Sequence, residues 1–97
     1  MDYCFYIIFS PYKNRFYIGH TSNLEQRVRR HNSNHKGFTG KIGDWKVVYT
    51  EVFKLKSEAQ NRELEVKRWK SRKMIEQLII KAEQMNGISL PGSEHPD

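Results

Sequence analysis

Tyr3 to Thr21 reads YCFYIIFSPYKNRFYIGHT, two short aromatic and β-branched runs either side of a bending segment. The first run, Tyr3 to Phe9, is apolar almost throughout, as a strand with much of both faces covered has to be. Ser10 to Arg15 carries proline, asparagine and charge, residues that turn a chain rather than extend it. Phe16 to His20 resumes the strand pattern, close enough to the first run for an antiparallel hairpin. Gly19, near the end of the second strand, marks a bulge or a close backbone approach. A lone hairpin is marginal in water, so the rest of the chain must supply a third strand or cover the faces.

Both follow. Ser22 stands three residues before Glu25, a capping-box pattern, and opens a helix that runs to about His31. Residues 32–44 hold three glycines among polar and basic residues and read as a loop. Trp45 to Phe53 gives the third strand. Ser57 caps a second helix that continues to about Trp69. Ser71 to about Met85 forms a third, with Ile75, Leu78, Ile79 and Ala82 at three- and four-residue spacings. The order ββαβαα implies an α+β fold, a small three-stranded antiparallel sheet flanked by helices. Residues 1–85 form the domain. Asn86 to Asp97, with two prolines and two glycines, is expected to be a disordered tail.

The whole chain is 97 residues, room for one small core. Hydrophobic residues make up 37% of it, and no apolar run approaches the ~20 residues that cross a bilayer. The first apolar stretch lacks the basic flank and small-residue site of a signal peptide. The single cysteine, Cys4, excludes an internal disulfide framework and a Cys-cluster zinc site. These features point to a cytoplasmic protein. The net charge is +6, and sixteen of the seventeen basic residues fall between Lys13 and Lys73. So concentrated a positive field favours polyanions, nucleic acid before anionic membrane.

Several polar residues sit where the helices should be apolar. Leu24, Arg27, Val28 and His31 share a face of the first helix, which sets Arg27 and His31 at the edge of its buried stripe. On the second helix Ala59, Glu63, Val66 and Trp69 do the same, so a carboxylate interrupts the stripe and needs a cation, from the protein or a metal. Taken singly, a snorkelling arginine and a structural salt bridge account for both. Tyr6 and Tyr17, one in each hairpin strand, are ordinary strand residues by the same test.

Taken together these residues resemble the GIY-YIG nuclease motif. Cys4-Phe5-Tyr6 stands where that family has Gly-Ile-Tyr, and Tyr17-Ile18-Gly19 matches the second element intact. Ten residues separate the two tyrosines, as is usual there. Arg27 and His31 match the arginine and, in several branches, the histidine of the following helix, and Glu63 matches the metal-binding glutamate. The pattern spans Tyr3 to about Lys73 and is most similar to small standalone bacterial members and to the nuclease domain of an excision-repair protein. The chain departs from it at Cys4, read as a small buried hydrophobe. It also lacks the asparagine that many active relatives carry beyond the glutamate, where this chain has Lys70 to Met74.

The resemblance implies hydrolysis of phosphodiester bonds in nucleic acid, DNA first, with one divalent ion, Mg²⁺ or Mn²⁺, on Glu63. No organic cofactor and no membrane partner are implied. Arg27 would bind the phosphate, since a guanidinium donates paired hydrogen bonds and keeps its charge. Tyr17 is the preferred base, with Tyr6 orienting the water, and His31 is the alternative. A free phenol ionises only near ~10, so a tyrosine base needs help from cations or metal-bound water. Lys36, Lys41, Lys46, Arg68, Lys70, Arg72 and Lys73 would make sequence-independent phosphate contacts. His20 and His35 carry no assigned role and read as surface residues. The alternative function is a nucleic-acid-binding module with weak or no turnover.

Overall fold

Phe5, Tyr6, Ile7 and Ile8 are each fully buried, which is why the opening run does not alternate. They form the middle of β1 (Tyr3–Ser10), which lies between β2 (Arg15–Thr21) and β3 (Lys46–Phe53) in one antiparallel sheet. A central strand has neighbours on both edges and, here, helices on both faces. Phe5 and Ile7 meet Ile18 and Val66 on one side, with Trp69, Ile75 and Leu78 packed around them. Tyr6 and Ile8 meet Trp45 on the other, with Leu24, Val28 and Ile42. Side chains of this size contribute about 1.5–3 kcal/mol each when fully buried. The first set brings in α2 (Lys56–Trp69) and α3 (Arg72–Met85), the second α1 (Leu24–His31). The expected ββαβαα order is therefore observed, as a sheet with one helix on one face and two on the other.

The protein is described here from a computed structural model covering residues 1–33, 35–37 and 40–85. The expected disordered tail, residues 86–97, lies outside the described residues. No helix among the described residues is long and apolar enough to cross a membrane.

Two helix starts differ from the sequence reading, by one residue in α1 and two in α2, for local reasons. The cap of α1 is Asn23, not Ser22: its side-chain oxygen accepts the Gln26 N–H at 3.0 Å. The Thr21 hydroxyl accepts the Asn23 N–H at 3.1 Å and so turns the chain one position later. Ser57 lies inside the first turn of α2, where Glu58 instead reaches back to the Leu55 N–H at 3.2 Å. Ser71 does cap α3, accepting the Met74 N–H at 3.2 Å.

Two side-chain clamps hold the connections. Ser10 donates to Asp44 at 2.6 Å and the Tyr12 N–H donates to the same carboxylate at 2.9 Å, fixing the hairpin turn against the residues before β3. Asn32 exchanges two hydrogen bonds with the Trp45 backbone, at 2.7 and 3.0 Å, and ties the end of α1 to the start of β3. At the tip of the hairpin Asn14 adopts φ 56°, a left-handed conformation that asparagine tolerates. Arg72 then grips it, donating to the Asn14 carbonyl and side-chain oxygens at 2.7 Å each while lying over Phe16 and Phe9.

Candidate active site

Tyr6 and Gly19 face each other across β1 and β2. A Cβ at position 19 would stand 2.6 Å from the Tyr6 hydroxyl, so the glycine exists to let the tyrosine lie across the strand. The tyrosine cannot yield, because it is fully buried and its hydroxyl is 2.8 Å from Nε2 of His31. This contact buries His31, which the sequence placed only at the margin of the stripe. Tyr17 completes the group, its ring centroid 4.8 Å from that of His31.

Burial pushes the Tyr6 phenol well above its ordinary range, and the nearby Arg27 only partly offsets this. His31 is driven down to about 4, by burial first and then by the positive charges of Arg27, His35 and Arg30. At neutral pH the imidazole is uncharged and is hydrogen-bonded to a Tyr6 phenol that keeps its proton.

Glu63 reaches the same edge of the sheet from α2, on the opposite face. One carboxylate oxygen is 2.5 Å from Nδ1 of His20, and the other is 2.5 Å from Nζ of Lys67. Burial opposes the charged form, but the hydrogen bonds from Lys67 and His20 outweigh it and hold the carboxyl below its usual range. His20 carries no role in the sequence reading, although a signal was present. Strand alternation puts Phe16, Ile18 and His20 in one row, the row α2 covers, where an imidazole at the rim has to meet something polar.

An open pocket of about 470 Å³ lies along β2, lined by Tyr17, Gly19, His20, Arg27, Lys56 and Glu63 among others. A second, of about 380 Å³, shares Tyr17 and Arg27 and continues past Arg30, His31, His35 and Lys36. The two tyrosines, the arginine, the histidine and the glutamate singled out in the sequence are thus gathered around one strand edge, with Tyr6 buried behind it. Of the basic residues expected to make phosphate contacts, Lys36 lines the second pocket. Lys41, Lys46, Arg68, Lys70 and Lys73 are exposed and line neither. Arg72 is committed to Asn14 and to Glu76, 2.9 Å away. Cys4 is half-buried, its thiol pushed up by burial.

Among the described residues no three His, Cys, Asp or Glu side chains converge as a metal cluster. The carboxylate in the pocket is Glu63, and a hard divalent ion needs little more, since water and phosphate oxygens fill its shell.

Residues 2–78 match the family profile described as the GIY-YIG catalytic domain. UPF0213 protein SH2523 of Staphylococcus haemolyticus is 42% identical over 69 residues, covering 66% of this chain and 83% of that protein. UPF0213 protein CPE1444 of Clostridium perfringens is 43% identical over 53 residues, 54% of this chain and 57% of that one. The solution NMR structure of UPF0213 protein BH0048 from Bacillus halodurans matches with a TM-score of 0.53 and 32% identity, covering 81% of this chain and 83% of that one.

Proposed function

The chain belongs to the GIY-YIG family, and from that premise we propose that it is a metal-dependent endonuclease that hydrolyses phosphodiester bonds in DNA. The observation that carries the reading is that Tyr17, Arg27 and Glu63, from three different elements, line one open pocket.

Arg27 would take two phosphate oxygens, orienting the phosphorus and countering the charge that builds on it. Tyr17, on the wall of both pockets, would act as base in its phenolate form, taking a proton from the attacking water. The water oxygen then bonds to phosphorus as the bond to the leaving sugar oxygen breaks. His31 is the weaker candidate for base, since its imidazole is driven down to about 4 and its Nε2 is held by Tyr6. Tyr6 serves as the strut that sets His31 and, through it, the Tyr17 ring. Glu63 would hold Mg²⁺ or Mn²⁺, which when bound supplies charge stabilisation on the phosphate and the leaving oxygen. Arg30 and Lys36, along the second pocket, would receive the neighbouring stretch of backbone.

One observation favours the second reading, a binding module with weak turnover: Lys67 already occupies one oxygen of Glu63. The two are separated by incubating the protein with plasmid, branched and single-stranded substrates in Mg²⁺ or Mn²⁺, beside a gel-shift assay. Cleavage lost in Glu63→Gln and Tyr17→Phe, with binding retained, is the expected result. Binding without cleavage in the wild type would leave the binding module standing.

A further inference from the structure

His20 and Glu63 meet on the pocket wall, both half-buried, with side chains 21% and 15% exposed. His20 stands on a strand, paired with Phe5 of the central one, so its backbone is fixed by the sheet. Its Nδ1 lies 2.5 Å from the near oxygen of Glu63. The far oxygen goes to Lys67, which does not line this pocket. His20 and Glu63 thus both line the pocket, with the imidazole nitrogen and the near carboxylate oxygen in direct contact.

A hydrogen bond is the simplest use of such a pair, and it is also the arrangement that two neighbouring ligands adopt without their ion. Ligands in adjacent positions around a first-row divalent ion, with bonds of about 2.1 Å, sit about 3 Å apart. The observed separation needs to open by only about half an ångström to reach that. Imidazole is a borderline nitrogen donor. It adds little for Mg²⁺, which prefers oxygen, and it favours Mn²⁺ and the ions after it.

We propose that His20 is a second protein ligand of the divalent ion at Glu63, and that it shifts the preference of the site from Mg²⁺ toward Mn²⁺. This rests on the reading of Glu63 as the metal ligand. The distinguishing probe is Mn²⁺ itself, added to the full chain and followed by electron paramagnetic resonance, with Mg²⁺ as competitor. A directly bound imidazole gives a nitrogen hyperfine coupling on the Mn²⁺ signal, which a histidine acting only as a hydrogen-bond partner does not. The wild type should show this coupling, and His20→Asn and His20→Gln should lose it. Mn²⁺ affinity in both variants should fall about tenfold or more, with Mg²⁺ affinity little changed. Mn²⁺ bound through Glu63 with no nitrogen coupling, or coupling that survives in both variants, would overturn the proposal and leave the nuclease reading intact. Failure of the wild type to bind Mn²⁺, or unchanged binding in Glu63→Gln, would overturn both. A wild type that shows the coupling but cuts no substrate would support the ligand assignment and remove the nuclease reading.

Discussion

Glu51 and Glu63 both lie half-buried between the sheet and α2, and they are held in opposite ways. Glu51 is clasped by Arg62, with three contacts between 3.0 and 3.3 Å, and accepts a hydrogen bond from Tyr49. The guanidinium also reaches Glu65 at 3.1 Å and lies over Phe5 and Trp69. The Tyr49 phenol is pushed up to about 12, by burial and then by Glu51, so it stays a donor. Every partner of Glu51 keeps its proton and its place. Glu63 is bonded instead by a lysine that is 47% exposed and by an imidazole, on the wall of an open pocket. One carboxylate is walled in by the fold; the other is held by partners that can let go. That difference, rather than the presence of a charge near the core, separates a structural ion pair from a site poised for a ligand.

The comparison breaks most visibly in paired substitutions. Glu63→Gln should lower cleavage on the order of 10³-fold with little change in melting temperature. Equal losses of stability at the two glutamates, or cleavage that survives in Glu63→Gln, would erase the distinction.

Acid should act on the buried side of the candidate site, through His31. Its pKa is near 4 in the folded chain, against about 6.5 in an unfolded one. The unfolded state therefore binds the extra proton between those values. The stabilisation is complete above pH ~6.5, drains away as pH falls toward ~4, and amounts to about 3 kcal/mol. Denaturant titrations at stepped pH should show this slope in the wild type and a flatter one in His31→Gln.

Glu51→Ala should destabilise the protein by about 2 kcal/mol, because Arg62 keeps its charge among apolar rings with only Glu65 left to it. Cleavage per folded molecule should hold, as a comparison of urea midpoints with activity well below them would show. Lys67→Ala is the mildest. An i,i+4 pair of this exposure is worth no more than about 0.5 kcal/mol. Its loss should barely move the melting temperature while tightening metal binding, read by titration of Mn²⁺.

Much of this was open to reading in the sequence, because the signals were local or repeated. The unbroken Tyr3–Phe9 run announced a strand covered on both faces, and the odd placement of Arg27 and Glu63 on otherwise apolar helix faces singled out two of the residues that line the open pocket. What escaped depended on partners far along the chain. His20 looked like surface until Glu63, 43 residues on, came to face it. Arg72 looked like part of a basic cluster, yet its partner is 58 residues earlier. The shift of the first helix cap from Ser22 to Asn23 turned on one hydroxyl, that of Thr21.

The grip of Arg72 on Asn14 also has a meaning in time. The turn that joins the first two strands is sealed by a side chain made 58 residues later. At synthesis rates of about 5–20 residues per second, that is a wait of roughly 3–12 s. Throughout that interval the nascent hairpin carries Phe9 and Phe16 without the guanidinium that will lie over them. The hairpin is thus made well before the side chain that finishes it.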